Sequence, residues 1–241
     1  MAQNSQYIYG IRAIQEAIEA GTDFQKIFLQ KGVTSPLFKS LEAQIHTLKL
    51  PHSYVPQERL QRITQQNHQG AIAEIAEVAY AEFEPTIEEI LAKTVNPLFL
   101  LLDGLTDVRN FGAILRTASC SGVHAVIVPK QGMAPLNRDA IKTSAGAAFT
   151  IPIIRVDHLK DAIYYLKSSD IQFIAATEKA ENTIYSVDFK KPSAIIMGSE
   201  DVGIHSSLLK LCDTQAKLPM QGSIASLNVS VACGVFLYEA V

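Results

Sequence analysis

Apolar positions in the first eighty residues alternate between helical and extended periods. Ile11, Ile14 and Ile18 lie at helical spacing, and Gly21 ends the stretch. Two more helices are predicted at 35–48 and up to about residue 63. Three β-rich or alternating runs predict strands at 24–29, 53–55 and 71–78. The order α-β-α-β-α-β is about the smallest unit that folds alone, so we expect an accessory domain.

From residue 98 onward, apolar strands alternate with helices. Strands are predicted at 98–103, 125–128, 150–155, 171–176, 194–197 and 215–218. Helices are predicted at about 111–121, 137–144, 158–168, 206–212 and 226–240. This alternation is typical of an α/β fold with a parallel sheet covered on both faces. The last helix is apolar nearly all round, so we expect it to be buried in the core or in a subunit interface.

Charge divides the chain at the same place. Residues 1–80 hold seven Lys or Arg and seven Asp or Glu, and residues 98–241 hold thirteen of each. The excess behind the net charge of −3 lies in residues 81–97, which carry four glutamates and one lysine. Two balanced blocks joined by an acidic segment indicate a small domain at 1–80, a linker at 81–97 and a larger domain at 98–241.

Composition excludes several classes of protein. Apolar residues make up 48% of the chain and charged residues 19%, which is typical of a globular protein rather than a disordered one. Without a run of about 20 apolar residues or a basic, apolar N-terminal leader, we expect no membrane partner and no targeting segment. Cys120, Cys212 and Cys233 lack CxxC spacing and nearby histidine pairs, which favours a reducing, cytoplasmic location and no metal.

The net charge argues against a global basic field for a nucleic acid, but a balanced domain can still carry a local basic patch. The small domain has Lys26, Lys31, Arg59 and Arg62, which suffice for phosphate contacts, although each of them fits an ordinary solvated charge as well. It lacks the interleaved aromatic and basic pattern of a platform for stacking single strands.

The chemistry is expected in loops that follow strands, because ligands of open parallel sheets bind beyond the carboxyl ends of the strands. Three such loops are unusual: 103–116, 198–203 and 218–230. In the first, Asn110 suits a helix N-cap. Arg116 lies within the following helix, where Gly112 and Ala113 leave open space beside its side chain.

The second and third loops have structural explanations too. The acidic loop between Gly198 and Gly203 lacks both the GxGxxG order and the Walker ending, and helix-capping acids would explain it equally well. In the third loop, Ser226 suits the N-cap of the last helix. Asn228, expected one turn into that apolar helix, needs a partner for its amide or a ligand.

Together the three loops resemble the motifs of the SpoU (TrmH) family of RNA ribose 2′-O-methyltransferases. The matching segments are Asn110-x-Gly-Ala-Ile-x-Arg116-x-Ala for motif one, Gly198-x-Glu200-x-x-Gly203 for motif two, and Pro219-Met220 through Ser226-Leu227-Asn228-Val229-Ser230 for motif three. The resemblance covers residues 98–241. The front of the chain, with Tyr9-Gly10-Ile11 and His68-Gln69-Gly70, is similar to the L30-like substrate-recognition domain of family members that act on 23S rRNA.

The resemblance implies the fold, the cofactor and the partners. We expect a SPOUT domain with a deep trefoil knot, S-adenosylmethionine as methyl donor, and a homodimer that methylates a ribose 2′-hydroxyl in RNA. A guanosine of 23S rRNA is favoured over tRNA, because tRNA-modifying relatives carry helical extensions at both ends in place of the small domain. No DNA partner is implied, and transfer from a sulfonium needs no metal because the leaving group departs neutral.

The resemblance also implies site residues. The catalytic set is Arg116, Asn110, Glu200, Ser226 and Asn228, and the cofactor-binding set is Thr177, Gly198, Leu218, Met220 and Leu227.

Arg116 is expected to hold the target phosphate and to stabilise the developing alkoxide, because a guanidinium does not deprotonate readily. Asn110 and Glu200 are expected to orient Arg116 and the loops, and Ser226 and Asn228 to shape the ribose pocket, while the proton acceptor stays open. We expect Arg116 to lie beside the pocket formed around Gly198, Leu218 and Leu227, and the enzymatic assignment from the motifs depends on that arrangement.

Two other functions remain open. One is a catalytically silent RNA-binding or ribosome-assembly protein that keeps the fold, although such a protein has no chemical reason to retain Asn110, Arg116, Glu200 and Asn228 together. The other is a nicotinamide-dependent α/β enzyme, which the missing phosphate fingerprint and the missing acidic ribose-binding residue disfavour.

Overall fold

The computed structural model describes residues 6–22, 24–75, 79–222 and 226–241. Its smaller sheet has the order β1-β4-β2-β3, in which β4 runs antiparallel to both β1 and β2, and β3 runs parallel to β2. The strands are β1 (Gln6–Tyr9), β2 (Phe24–Gln30), β3 (His52–Val55) and β4 (Ala71–Ile75). The helices between them are α1 (Ile11–Glu19), α2 (Pro36–Thr47) and α3 (Gln57–Ile63).

The prediction for this domain omitted β1, because four residues are too few to establish a period. The order is therefore β-α-β-α-β-α-β. Residues 76–78 of the last predicted strand lie outside the described residues. Helices α1 and α2 bury their apolar stripes on one side of the sheet, and α3 contacts the other side through Leu60.

The segment 81–97, expected to be a linker, contains helix α4 (Phe83–Lys93). Ile87 is fully buried against the larger domain, and the backbone N–H of Ala81 donates to the carbonyl of Ile153 at 2.8 Å. The acidic composition concealed an apolar stripe, which buries one face of the helix and leaves the glutamates in solvent.

The larger sheet is parallel throughout, as predicted, and has the strand order β7-β6-β5-β10-β8-β11-β9. Its strands are β5 (Leu98–Asp103), β6 (Ala125–Pro129), β7 (Ile153–Val156), β8 (Gln172–Ala176), β9 (Asn182–Thr183), β10 (Ser193–Gly198) and β11 (Thr214–Lys217). Its helices are α5 (Val108–Cys120), α6 (Arg138–Thr143), α7 (Leu159–Lys167), α8 (Ser206–Leu209) and α9 (Val229–Glu239).

Both faces of the larger sheet are covered. Leu100 and Leu102 of β5 belong to the apolar cluster under α5, α6 and α9, whereas Phe99 and Leu101 belong to the cluster under α4, α7 and α8. Burial on both faces explains why these strands read as continuous apolar runs.

The strand order brings distant segments together. Because β10 lies between β5 and β8, and β11 lies beyond β8, the carboxyl ends of all four strands share one edge of the sheet. The three unusual loops begin at β5, β10 and β11, so they emerge side by side. The trefoil knot stays a prediction.

The two domains pack directly on each other. Their apolar residues form one continuous cluster, and the hydroxyl of Tyr9 donates to Asp139 Oδ1 at 3.3 Å. Within the described ranges, no helix is long and apolar enough to cross a membrane.

Candidate active site

A cavity of about 390 Å³ opens at the carboxyl ends of β8, β10 and β11. This volume lies within the roughly 300 to 1,000 Å³ of small-molecule sites. All five residues predicted to bind the cofactor line the cavity, together with Ser226, Asn228 and Glu200 from the predicted catalytic set. The cavity therefore collects most of both predicted sets.

Gly198 ends β10 where the following loop turns back sharply. A Cβ atom on this glycine would lie 2.1 Å from the carbonyl carbon of Gly203 and 2.2 Å from the nitrogen of Ile204. The loop is closed by the N–H of Gly203, which donates to the carbonyl of Ser199 at 2.9 Å. Only glycine allows this close approach, so the cavity wall depends on the residue type at position 198.

Glu200 joins the three motifs. Its Oε1 accepts hydrogen bonds from Asn110 Nδ2 at 3.0 Å, Asn228 Nδ2 at 2.8 Å and the N–H of Val229 at 3.2 Å. Asn228 Nδ2 also donates to Asn110 Oδ1 at 3.1 Å. We call Asn110, Glu200 and Asn228 the three-motif cluster, because one carboxylate oxygen holds the loops after β5, β10 and β11 together.

Two helix caps differ from the prediction. The N-cap of α5 is Asp107, whose carboxylate accepts from the N–H of Asn110 at 2.7 Å, so Asn110 lies in the first turn instead. The N-cap of α9 is Asn228 rather than Ser226, and its Oδ1 accepts from the N–H of Ser230 at 3.0 Å. Asn228 is exposed, not one turn into the helix, and the later start of α9 leaves Ser226 and Leu227 on the cavity wall.

We expect Glu200→Ala to lower the free energy of unfolding by about 1 to 3 kcal/mol, because two amide side chains and a backbone N–H lose their shared acceptor. Cofactor affinity should fall as well, since the cavity wall loosens. Thermal unfolding and calorimetry measure the two effects. Asp201→Ala removes the neighbouring charge outside the cluster and should change neither the free energy of unfolding nor the cofactor affinity. Equal losses in that variant would contradict a specific role for the cluster.

Arg116 lies elsewhere. Among the described residues that line the cofactor cavity, Arg116 is absent; it lines a crevice of about 440 Å³ between α1 and α5, together with Glu16 and Glu19. It follows Asn110 by six residues, which is about 9 Å along the helix axis. The expectation that Arg116 borders the cofactor pocket is therefore not met within one chain.

The space expected beside Arg116 is also filled. A Cβ atom on Gly112 would lie 2.5 Å from the carbonyl oxygen of Ala140, so Gly112 serves the close packing of α6 on α5. Arg116 is exposed and faces the small domain. Partial burial raises the pKa of the Glu16 carboxyl, and the nearby Arg116 guanidinium acts in the opposite direction.

Several cavity residues were not predicted. Glu178 follows Thr177 at the end of β8, Lys217 ends β11, and Ala232 and Phe236 lie on the cavity side of α9. The spacing from Val229 to Ala232 and Phe236 marks one helix face, but a helix that is apolar all round conceals which face matters. Within the described residues, no group of three or more His, Cys, Asp or Glu side chains is arranged to hold a metal ion.

Comparison with known proteins identifies the class. Residues 97–238 match the model of the SpoU rRNA Methylase family, and residues 7–81 match the model for RNA 2′-O ribose methyltransferase substrate binding. The chain therefore belongs to the SpoU rRNA methylase family, which confirms the resemblance inferred from the three motifs.

Individual relatives are similar over nearly the whole chain. The chain is 37% identical over 242 residues to the 23S rRNA (guanosine-2′-O-)-methyltransferase RlmB of Escherichia coli strain K12, covering 98% of each chain. A solved RNA 2′-O ribose methyltransferase is 28% identical, with a TM-score of 0.81 over 99% of this chain and 88% of that one. The SpoU methyltransferase AviRb of Streptomyces viridochromogenes, solved with AdoMet, shares the fold at 22% identity, with a TM-score of 0.82 over 98% and 89%.

Proposed function

We propose that the protein transfers the methyl group of S-adenosylmethionine to a ribose 2′-hydroxyl of RNA, on a guanosine of 23S rRNA. The observation that carries the proposal is the three-motif cluster at the cavity, where Glu200 joins residues from three distant loops. Membership of the SpoU rRNA methylase family and the similarity to RlmB support the same reaction.

The cavity is chemically suited to S-adenosylmethionine. Leu218, Met220 and Leu227 offer apolar walls for the adenine and for the carbons next to the sulfonium. Glu178 carries the charge opposite to that of the ammonium group, and Lys217 the charge opposite to that of the carboxylate. When bound, the cofactor supplies an electrophilic methyl group on a sulfonium. The AdoMet complex of AviRb supports the choice of ligand.

The residues of the chain would act by positioning and by charge. Glu200 and Asn110 hold the three loops together through hydrogen bonds, and Ser226 and Asn228 shape the pocket for the ribose. The separation of Arg116 from the cavity favours contact with the phosphate of the target nucleotide rather than with its 2′-oxygen.

Incubation with tritiated S-adenosylmethionine and either 23S rRNA or tRNA tests the substrate. We expect label in rRNA, because residues 7–81 match a substrate-binding model and RlmB aligns along 98% of the chain. Label in tRNA would favour a tRNA enzyme of the same family. Cofactor binding without label in either RNA would favour a silent RNA-binding protein, and calorimetric binding of NAD instead would favour a nicotinamide enzyme.

We also propose a homodimer that covers the outer face of α9. Val231, Val235 and Tyr238 are 53%, 40% and 61% exposed on a helix whose other face is buried. Val231→Glu should convert the dimer to a monomer in sedimentation experiments, because a charge would be buried in an apolar interface. Tyr164→Glu, at an exposed tyrosine of α7, should leave the dimer intact, and a wild-type monomer would contradict the proposal.

We infer a cytoplasmic location from the cysteines. Cys120, Cys212 and Cys233 are all free. Burial raises the pKa of Cys212 and that of Cys233 to about 12, so both thiols stay protonated and unreactive. Free structural thiols fit a reducing compartment.

A further inference from the structure

We infer that the backbone of the RNA binds a strip of four cations that crosses from the small domain to α6 of the larger domain. The strip consists of Lys26, Arg59, Arg138 and Lys142. The inference rests on the proposed function, because it takes RNA as the ligand. Arg138 and Lys142 lie outside the three motifs, and they extend RNA binding beyond the small domain.

The strip lies over a row of apolar side chains on one face of the smaller sheet. Tyr9 of β1 is the register partner of Ile72 in β4, and Phe28 of β2 is the partner of the same isoleucine. Register partners project from the same face of a sheet, so the three side chains lie side by side. They belong to one buried cluster, with α3 contacting β2 on one side and α6 contacting β1 on the other.

Each end of the row lies under two cations. The Lys26 ammonium lies 5.9 Å from the ring centre of Phe28, and the Arg59 guanidinium carbon lies 5.4 Å from it. The Arg138 guanidinium carbon and the Lys142 ammonium lie 5.2 and 5.0 Å from the ring centre of Tyr9. Tyr9 and Phe28 are both buried, and their ring faces favour the positive charge.

Among the described residues, none of the four cations of the strip takes part in an ion pair within 4.0 Å. Arg138 and Lys142 are one helical turn apart and share one ring, an arrangement in which like charges repel. Two acidic side chains of the described ranges lie beside the strip: Asp139, which accepts from the Tyr9 hydroxyl, and Glu74, the register partner of Lys26.

The negatively charged phosphate backbone of RNA is complementary in charge to this surface. Within the described part of the chain, the four cations of the strip outnumber Asp139 and Glu74 beside them, in a protein whose net charge is −3. Tyr9 and Phe28 are two strand spacings apart, about 10 Å, so the two cation pairs would engage different phosphates of one RNA. Contacts of this kind fix the position of a nucleic acid without reading its sequence.

The strip ends on α6, which packs against α5, the helix that carries Arg116. Helix α6 packs so closely on α5 that a Cβ atom on Gly112 would lie 2.7 Å from the Cβ of Thr143, the residue after Lys142. An RNA bound along the strip is therefore led toward α5. Because the strip is complete only when the two domains are docked, RNA binding would also stabilise their arrangement.

Filter binding of in vitro transcribed 23S rRNA over a salt series tests the strip. Replacing Arg138 and Lys142 together with alanine should lower the affinity about tenfold, the value of one or two charged contacts. The slope of log K against log salt should become shallower by about 1.4 to 1.8, because two phosphate contacts are lost. The Lys26→Ala, Arg59→Ala double variant should behave in the same way.

The matched control is Lys160→Ala with Lys210→Ala, which removes two exposed lysines at the opposite face of the larger sheet and should leave affinity and slope unchanged. Three results would each overturn the inference. They are unchanged binding in both strip variants, a loss of affinity with an unchanged salt slope, and an equal loss of affinity in the control. If the wild-type protein of the same preparation methylates rRNA, such results overturn the strip but not the proposed function. Wild-type protein that neither binds nor methylates rRNA refutes the proposed function itself.

Discussion

Arg116→Ala is expected to lower the rate of methyl transfer by about 10²-fold, because the target nucleotide loses the cation that holds its phosphate and a misplaced substrate reacts more slowly. Cofactor affinity should stay unchanged, because Arg116 lines the crevice with Glu16 rather than the cofactor cavity. Single-turnover rates with rRNA and calorimetry with S-adenosylmethionine measure the two quantities separately.

Arg109→Ala is the matched control for this prediction. Arg109 lies on the same helix, about two turns earlier and also exposed, so its removal changes the charge of α5 equally. That variant should keep most of the rate. Arg116→Lys should recover only part of the activity, because lysine keeps the charge but loses the planar fork. A loss of cofactor affinity in Arg116→Ala would contradict the separation of the two roles.

Gly198→Ala is expected to abolish detectable cofactor binding. The added Cβ would meet the Gly203 carbonyl carbon at 2.1 Å, so the loop that forms the cavity wall must move. Overpacking of this kind costs about 1 to 3 kcal/mol, and the thermal midpoint should fall accordingly. Calorimetry with S-adenosylmethionine and thermal unfolding measure the two effects.

Gly222→Ala controls for the substitution itself. An added Cβ there has no described atom within 4 Å, and the backbone of Gly222 is outside the left-handed region. The variant should fold and bind the cofactor like the wild type. Wild-type affinity in Gly198→Ala would show that the loop after β10 does not form the cofactor site.

The fold class was predictable because the apolar pattern of each strand and helix reflects its own burial. β5 is a continuous apolar run because Leu100 and Phe99 are buried under helices on opposite sides of the sheet. Strand order was not predictable, because the position of β10 between β5 and β8 depends on pairing across long stretches of chain. α4 was missed because its glutamates dominate the composition, although Ile87 shows the buried stripe.

The identity of the site residues was predictable from the loops that follow the strands and from the sequence motifs, but their contacts were not. Glu200 and Asn228 could be selected, but their hydrogen bond depends on the strand order, which only the structure supplies. The caps were assigned to Asn110 and Ser226 because each residue type suits a cap, whereas Asp107 and Asn228 take these positions. The location of Arg116 across a crevice from α1 depends on how the two domains pack, which no local sequence pattern encodes.

The most direct test is the chemical identity of the product. 23S rRNA incubated with the protein and S-adenosylmethionine would be digested to nucleosides and analysed by mass spectrometry. We expect 2′-O-methylguanosine, with the added mass on the ribose, and much less of it in the same time when Arg116→Ala replaces the wild type. A methyl group on the base, or unmodified rRNA from wild-type protein that binds the cofactor, would contradict it.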